Sequence, residues 1–356
     1  MIKKLISVVL FLQINVYLAQ SQIVKYSNEF LSIGVGARQL GMGGASVAGT
    51  TGVYSTYWNP AALITIKDDA QVGAMHNENF GGISKYDYLG FSTIDKSGSA
   101  LGFSIIRNGV DGIPNTLDLI DEDGNVRYDR VSSFSVNDYA FFISAARLIN
   151  ESGLAVGGNV KIIRRIVGKF ASAWGLGIDI AMQYRNNNWI LGATLRDATG
   201  TFNAWKFNTE TFKETFLITE NEIPKNSLEV TMPKLLLGVA RSFIIKTKSV
   251  ITAEINADCT FDGKRNTVIK SDIISVDPKV GVEYSYNSRF SIRAGVNNMQ
   301  QISDISNKKR FDIQPNVGAG IAYKHFTLDY ALSVIGDKTS SLYSNIFSLS
   351  YSFNKN

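Results

Sequence analysis

The chain has 356 residues, 45% hydrophobic and 19% charged, with 31 glycines, 20 phenylalanines, 15 tyrosines and only 6 prolines. This is not a disordered composition, and it is not that of a helical membrane protein. Beyond the N-terminal stretch no apolar run reaches the roughly 18 residues that a membrane-crossing helix needs. The formal charge of +5, without a basic cluster interleaved with aromatics, excludes a nucleic-acid surface.

The first residues read MIKKLISVVLFLQINVYLAQSQ. Lys3 and Lys4 precede an apolar core from Leu5 to Leu12, and Ala19-Gln20-Ser21 forms a small-x-small cleavage site. Residues 1–21 therefore read as a signal peptide, and export is expected. No cysteine stands near the cut to carry a lipid. Cys259 is the sole cysteine, so no internal disulfide forms even in an oxidising compartment.

Residues 22–68 form the next unit. Its centre, GVGARQLGMGGASVAGTTGVYSTYWNPAAL from Gly34 to Leu63, is too rich in small residues for an ordinary helix or strand. Gly34, Gly36, Gly41, Gly43 and Gly44 let backbone approach backbone, as in a segment packed inside something else. Tyr57 and Trp58 supply bulk. Asn59 is placed to cap a short helix with Pro60 at its first position, where the missing N–H costs nothing. A dinucleotide fingerprint fails here, because Gln39 and Ser46 stand where a third glycine is required, and no G-K-[ST] follows.

From residue 69 to 356 the pattern has period two, in segments of about ten residues. About fourteen strands are expected: near 70–79, 84–94, 99–107, 134–146, 152–166, 173–185 and 189–197, then 232–243, 248–258, 278–286, 289–297, 314–324, 325–334 and 344–353. Tight turns at 96–98, 150–152, 186–188, 246–248, 287–288 and 324–325 alternate with mostly longer polar connections at 108–133, 198–231, 259–277, 298–313 and elsewhere. That rhythm belongs to outer-membrane barrels, with short periplasmic turns and longer external loops. On 173–185, Leu176, Ile178, Ile180 and Met182 oppose Asp179 and Gln183; on 278–286, Val282 opposes Glu283. In a membrane the charged face must point inward, since a charge facing lipid at mid-bilayer costs roughly 2–4 kcal/mol. The last strand alternates Phe347, Leu349, Tyr351 and Phe353 with small polar residues, and it resembles the C-terminal insertion signal of outer-membrane proteins. The expected fold is an all-β transmembrane antiparallel barrel with residues 22–68 as a hatch in its lumen, lodged in outer-membrane lipid.

The run G-x-G-A-R-x-x-G-M-G-G-A at Gly34–Ala45, followed by Y-W-N-P-A-A-L at Tyr57–Leu63, resembles the start of the PorV/PorQ family within the FadL-type barrels. Phe326-Thr-Leu-Asp329-Tyr330-Ala331 and Met232-Pro-Lys-Leu235-Leu-Leu-Gly238 extend the likeness. This resemblance implies a type IX secretion component of the outer membrane, binding the translocon, the sorting enzyme or secreted cargo domains through its external loops. Trp205, Phe207 and Phe212 would then be the anchors. The wider FadL likeness implies a transporter of hydrophobic small molecules.

Chemistry for catalysis is missing. His76 and His325 lie far apart, and no G-x-S-x-G elbow is present. The run Asp121 to Asn125 looks like a calcium loop, but Leu119 stands where the first aspartate belongs. The carboxylates Asp179, Glu254, Glu283 and Asp329 are expected to balance Lys161, Arg165 and Arg293 across the lumen and to fix the hatch through Arg38. The expectation is a non-enzyme without metal or cofactor.

Overall fold

The computed structural model describes residues 28–66, 68–121, 123–149, 153–303, 309–334 and 343–353. The expected signal peptide at 1–21, the start of the 22–68 unit and the last three residues lie outside them.

Among the described residues seventeen strands run in chain order: β1 Ala70–Asn79, β2 Ser84–Ile94, β3 Ser99–Asn115, β4 Ser132–Leu148, β5 Leu154–Val167, β6 Ala171–Asn186, β7 Trp189–Arg196, β8 Thr201–Phe207 and β9 Ser227–Thr231. Then come β10 Lys234–Lys246, β11 Ser249–Thr260, β12 Ile269–Lys270, β13 Ser275–Tyr286, β14 Phe290–Ser303, β15 Lys309–Tyr323, β16 Phe326–Val334 and β17 Tyr343–Phe353. Every pairing is antiparallel, and β1 pairs with β17 from Ala70↔Phe353 to Glu78↔Asn345, which closes the sheet on itself. β7 continues into β8 and β9 into β10, while β12 adds one short rung to β13. The result is a closed barrel of 14 strand positions. Closure removes the exposed edge that so long and apolar a last strand would otherwise offer to aggregation.

The turns follow from residue chemistry. Asn287 and Ser288 both hold positive φ (53° and 52°), the backbone of a type I′ hairpin whose twist matches that of its strands. At the same end Asp95 accepts from the Ser97 hydroxyl at 2.7 Å and from the Ser99 N–H at 2.9 Å. Those bonds hold its carboxyl below the usual carboxylate range.

The wall sorts as alternation demands. Leu176 and Ile180 are 55% and 57% exposed on the outside, whereas Asp179 between them is 2% exposed on the inside. Val282 (40%) and Glu283 (9%) divide the same way. Phe347, Leu349 and Tyr351 also face outward, with Ile346 and Ser348 buried behind them.

One expected loop is corrected. Residues 198–231 are not a plain connection. The chain breaks at Asp197, whose φ is 53°, and resumes at Thr201 against the same neighbour, β6; β9 returns beside β8 before Lys234 pairs with Arg196. The ends of β3, β4, β14 and β15 also run several residues past their expected limits.

Residues 28–66 lie inside the barrel as short helical turns, among them Ala37–Gly41, Ser55–Trp58 and Pro60–Thr65, and almost all of them are buried. The largest apolar cluster gathers Val35, Leu40, Tyr54, Tyr57 and Trp58 from this segment against Tyr86, Tyr88, Ile106, Phe142 and Ile163 of the wall. The barrel core is thus made between the segment and the wall, with Met75 of β1, Ala331 of β16 and Ile346 of β17 joining the residues of β2 to β5.

Candidate functional site

The lumenal segment meets the wall where the wall has no side chains. Met42 crosses Gly281 and Gly295, and a Cβ built on Gly295 would stand 2.1 Å from the Met42 carbonyl carbon. Val47 and Ala48 cross Gly192 and Gly238, with the Val47 carbonyl oxygen 2.4 Å from where a Gly192 Cβ would be. Pro60 and Ala61 cross Gly157 in the same manner, at 2.6 Å from the Ala61 nitrogen. On the segment's own side Gly41 lies against Gly318, while a Cβ on Gly43, whose φ is +66°, would reach 2.8 Å from the Val296 nitrogen. Gly34, Gly36 and Gly44 hold positive φ as well.

Polar contacts hold what the glycines admit. Arg38 donates from Nε to Glu283 Oε2 at 2.8 Å, from Nη2 to Oε1 at 2.9 Å, and from Nη1 to the Gly49 carbonyl at 3.2 Å. Arg293 donates to the same Glu283 at 2.5 Å and to Asp329 at 2.7 Å. Glu254 accepts the backbone N–H groups of Ala48 and Gly49 at 2.7 and 2.8 Å. Buried charge survives in a low-dielectric lumen only when paired and hydrogen-bonded in this way. Lys161 sits between Asp179 at 2.8 Å and Asp197 at 2.5 Å, and Arg165 pairs with Asp138 at 2.8 Å.

Asn59 caps the turn that starts at Pro60. Its Oδ1 accepts from the Ala61 N–H at 3.1 Å, while its Nδ2 donates to the carbonyls of Val47 at 2.8 Å and Met182 at 3.1 Å. Trp58 donates its indole N–H to the Val35 carbonyl at 2.8 Å. Tyr57 donates to the Leu31 carbonyl, and the Arg196 guanidinium lies 4.2 Å over its ring. Sequence reasoning missed Gln71, Asn159 and Gln183, which bond the backbone of Val53, Thr56 and Ala48. Glutamine and asparagine at inward strand positions were the available signal.

The three aromatics expected on the outer loops are placed differently from one another. Phe212 is 6% exposed and packs on Phe216 with ring centroids 4.9 Å apart. Buried in its own loop, it has no face left for a partner. Trp205 and Phe207 are half-buried and stacked at 6.2 Å, and Arg165 covers the Trp205 ring at 5.1 Å. Asp121 accepts from the N–H groups of Asp123 and Asn125, a turn closed on itself. On the outer face of the barrel, His76 and Arg107 both reach Asp87 from neighbouring strands, with His76 Nδ1 2.6 Å from the Asp87 carboxylate. Among the described residues no group of three or more His, Cys, Asp or Glu could hold a metal ion.

Between the long-loop ends of β10 to β15 the lumen opens into a vestibule of about 490 Å³ that ends on Tyr57 and Trp58. A closed antiparallel barrel with an apolar outer band, a charged interior and a segment folded into it is a β-barrel of the outer-membrane type. Solved structures with this fold include the CymD monoaromatic hydrocarbon channel, at 13% identity and a TM-score of 0.59 over 91% of this chain and 98% of that one. The Ralstonia pickettii toluene transporter TbuX is similar at 14% identity and a TM-score of 0.56, over 90% and 99%. A Pseudomonas aeruginosa FadL homologue is similar at 11% and 0.54, over 90% and 98%. At such identities the likeness is one of fold: the chain shares the closed 14-strand antiparallel barrel of these structures. No family model matches the chain, and no curated protein matches it.

Proposed function

We propose that this chain is an outer-membrane conduit for small molecules, gated by the segment from residue 28 to 66. The observation that carries the reading is the stopped lumen. An open vestibule leads from the long-loop end to Tyr57 and Trp58, and below them the segment is fixed to the wall by hydrogen bonds and ion pairs rather than by covalent links. Passage requires the segment to shift; closure requires it to return. The barrels of the same fold described as toluene transporters and a monoaromatic hydrocarbon channel support small-molecule passage over the other classes considered. They also support an outer-membrane location and a protein that is not an enzyme.

The protein-binding reading, with a type IX translocon, sorting enzyme or cargo as partner, keeps the support of the Gly34–Ala45 and Tyr57–Leu63 motifs. Of its expected anchors, Phe212 is buried and Arg165 covers Trp205, while Phe207 is half-buried. Two measurements separate the readings. Purified protein in a planar bilayer should show rare, discrete conductance steps that become frequent in Glu254→Gln, which weakens the grip on Ala48 and Gly49. Gentle purification from the native outer membrane should yield a lone barrel. No conductance step in either protein, together with a co-purified secretion component, would replace the conduit with the scaffold.

A further inference from the structure

The vestibule above Tyr57 and Trp58 is unlike a hydrocarbon site. Among the described side chains that face it, Leu236 is the one aliphatic group, and charged and amide residues dominate the rest. The two tryptophan and tyrosine rings at its floor are themselves buried, at 4% and 3% exposure. A hydrocarbon entering here would strip water from those groups and return no hydrogen bond, which is unfavourable for each group left unmet.

The charges are of both signs and are interleaved. Lys279 donates to Asp258 at 2.5 Å across β13 and β11, and Asp277 stands one inward position away from Lys279 on the same strand. The cationic Arg196 is already turned onto Tyr57, donating to its hydroxyl at 3.2 Å and its carbonyl at 3.1 Å. A ligand of a single sign therefore meets repulsion from one half of the wall. A neutral ligand that carries both donors and acceptors does not.

Two details show that the wall is shaped for hydrogen bonding. A bulge interrupts the β14–β15 register between Asn297 and Gln300, with Asn298 at a φ of 47°. Bulges at the ends of barrel strands re-aim side chains, and this one gathers Asn298, Gln300 and Asn266 into a chain of amides at 2.5 and 3.3 Å. Beside them on β13, the Asp277 carboxyl accepts the Met299 N–H, and its Oδ1 is buried without a hydrogen-bond partner among the described residues. A buried carboxylate oxygen in that condition calls for a donor, and a ligand hydroxyl is a donor that carries no charge.

We infer that the vestibule is a binding site for a neutral polyhydroxylated solute of about disaccharide size, held along one wall by Asp277 and the neighbouring Asn298–Gln300 amides. The inference rests on the conduit reading for its purpose but not for its test. Folded protein in detergent is titrated calorimetrically with maltose, with the zwitterionic dipeptide glycylglycine and with toluene. Maltose should bind, and Asp277→Leu and Gln300→Leu should each weaken it by about tenfold, the loss of one hydrogen bond to a buried polar or charged group. Trp174→Phe, on the outer face, should leave binding unchanged. Retention of the heat-modifiable electrophoretic mobility of a closed barrel certifies that each variant folds.

Binding of the dipeptide or of toluene without maltose overturns the inference, as does maltose binding that neither leucine variant weakens, or no binding at all. Conductance in planar bilayers is read separately. Maltose binding without any conductance step removes the conduit reading and leaves the site. Conductance without maltose binding does the reverse.

Discussion

Replacing Arg38 by methionine tests whether the buried ion pairs hold the lumenal segment shut. Methionine keeps most of the volume of the side chain and removes two charge-assisted bonds to Glu283, at 2.8 and 2.9 Å, and one to the Gly49 carbonyl. Bonds of this kind contribute about 1.5–3 kcal/mol each. The full penalty of about 3–5 kcal/mol for stranding a buried partner does not apply, because Arg293 stays 2.5 Å from Glu283. A net loss near 3 kcal/mol follows, or about 150-fold in the closed-to-open equilibrium. Single-channel recording reads this directly as open probability at fixed voltage. Glu283→Gln should open the channel further, since it leaves Arg38 and Arg293 facing each other without their shared carboxylate. The double variant should fall short of the sum of the singles by 1 kcal/mol or more, as groups in direct contact do. An open probability within about threefold of wild type in Arg38→Met would refute the idea that these charges latch the segment.

Three further outcomes follow from the geometry. Gly295→Val places carbon where the Met42 carbonyl lies, so it should dislodge the segment while the barrel stays closed; protease cleavage near Met42 with unchanged heat-modifiability would show this. In single-tryptophan proteins, brominated lipid should quench Trp174 and Trp189, which are 58% and 47% exposed on the outer wall, and spare Trp58; quenching of Trp58 alone would invert the face assignment. An epitope inserted beside Gly124, in the connection between β3 and β4 where nothing lies within 4 Å of an added Cβ, should be reached by antibody on intact cells, and access only after the outer membrane is opened would reverse the orientation.

Much of this fold was legible in the sequence because its rules are local. Alternation such as Leu176-Gly-Ile178-Asp-Ile180 fixes a strand and its two faces, and Asn287-Ser288 fixes a turn. The β8–β9 hairpin was not legible, because Asp197-Ala-Thr-Gly200 is a strong turn signal that ends any strand read by itself. The chain resumes after it because the Asp179 carboxylate accepts from the Asp197 N–H at 2.8 Å and β6 offers a ladder to rejoin. The site shows the same division. Arg38, Glu283, Arg293 and Asp329 could be named as a charge-balanced set, since unlike charges inside a barrel must find one another. That Met42 crosses Gly295, or that Arg196 lies over Tyr57, depends on register around a closed sheet, and no local pattern encodes it. Phe212 shows the limit from the other side: an aromatic in a long polar stretch reads the same whether it awaits a partner or fills its own loop.

The seam between β1 and β17 gives the segment a second part, as a fastening. Its Ala37 N–H donates to the Ser348 hydroxyl at 3.1 Å, and the Tyr54 hydroxyl lies within hydrogen-bond distance of the carbonyls of Ala74 on one side of the seam and Leu349 on the other. The segment thus rivets the first stave to the last, and a gating movement that leaves Ala37 and Tyr54 in place opens the bore without unfastening the cylinder.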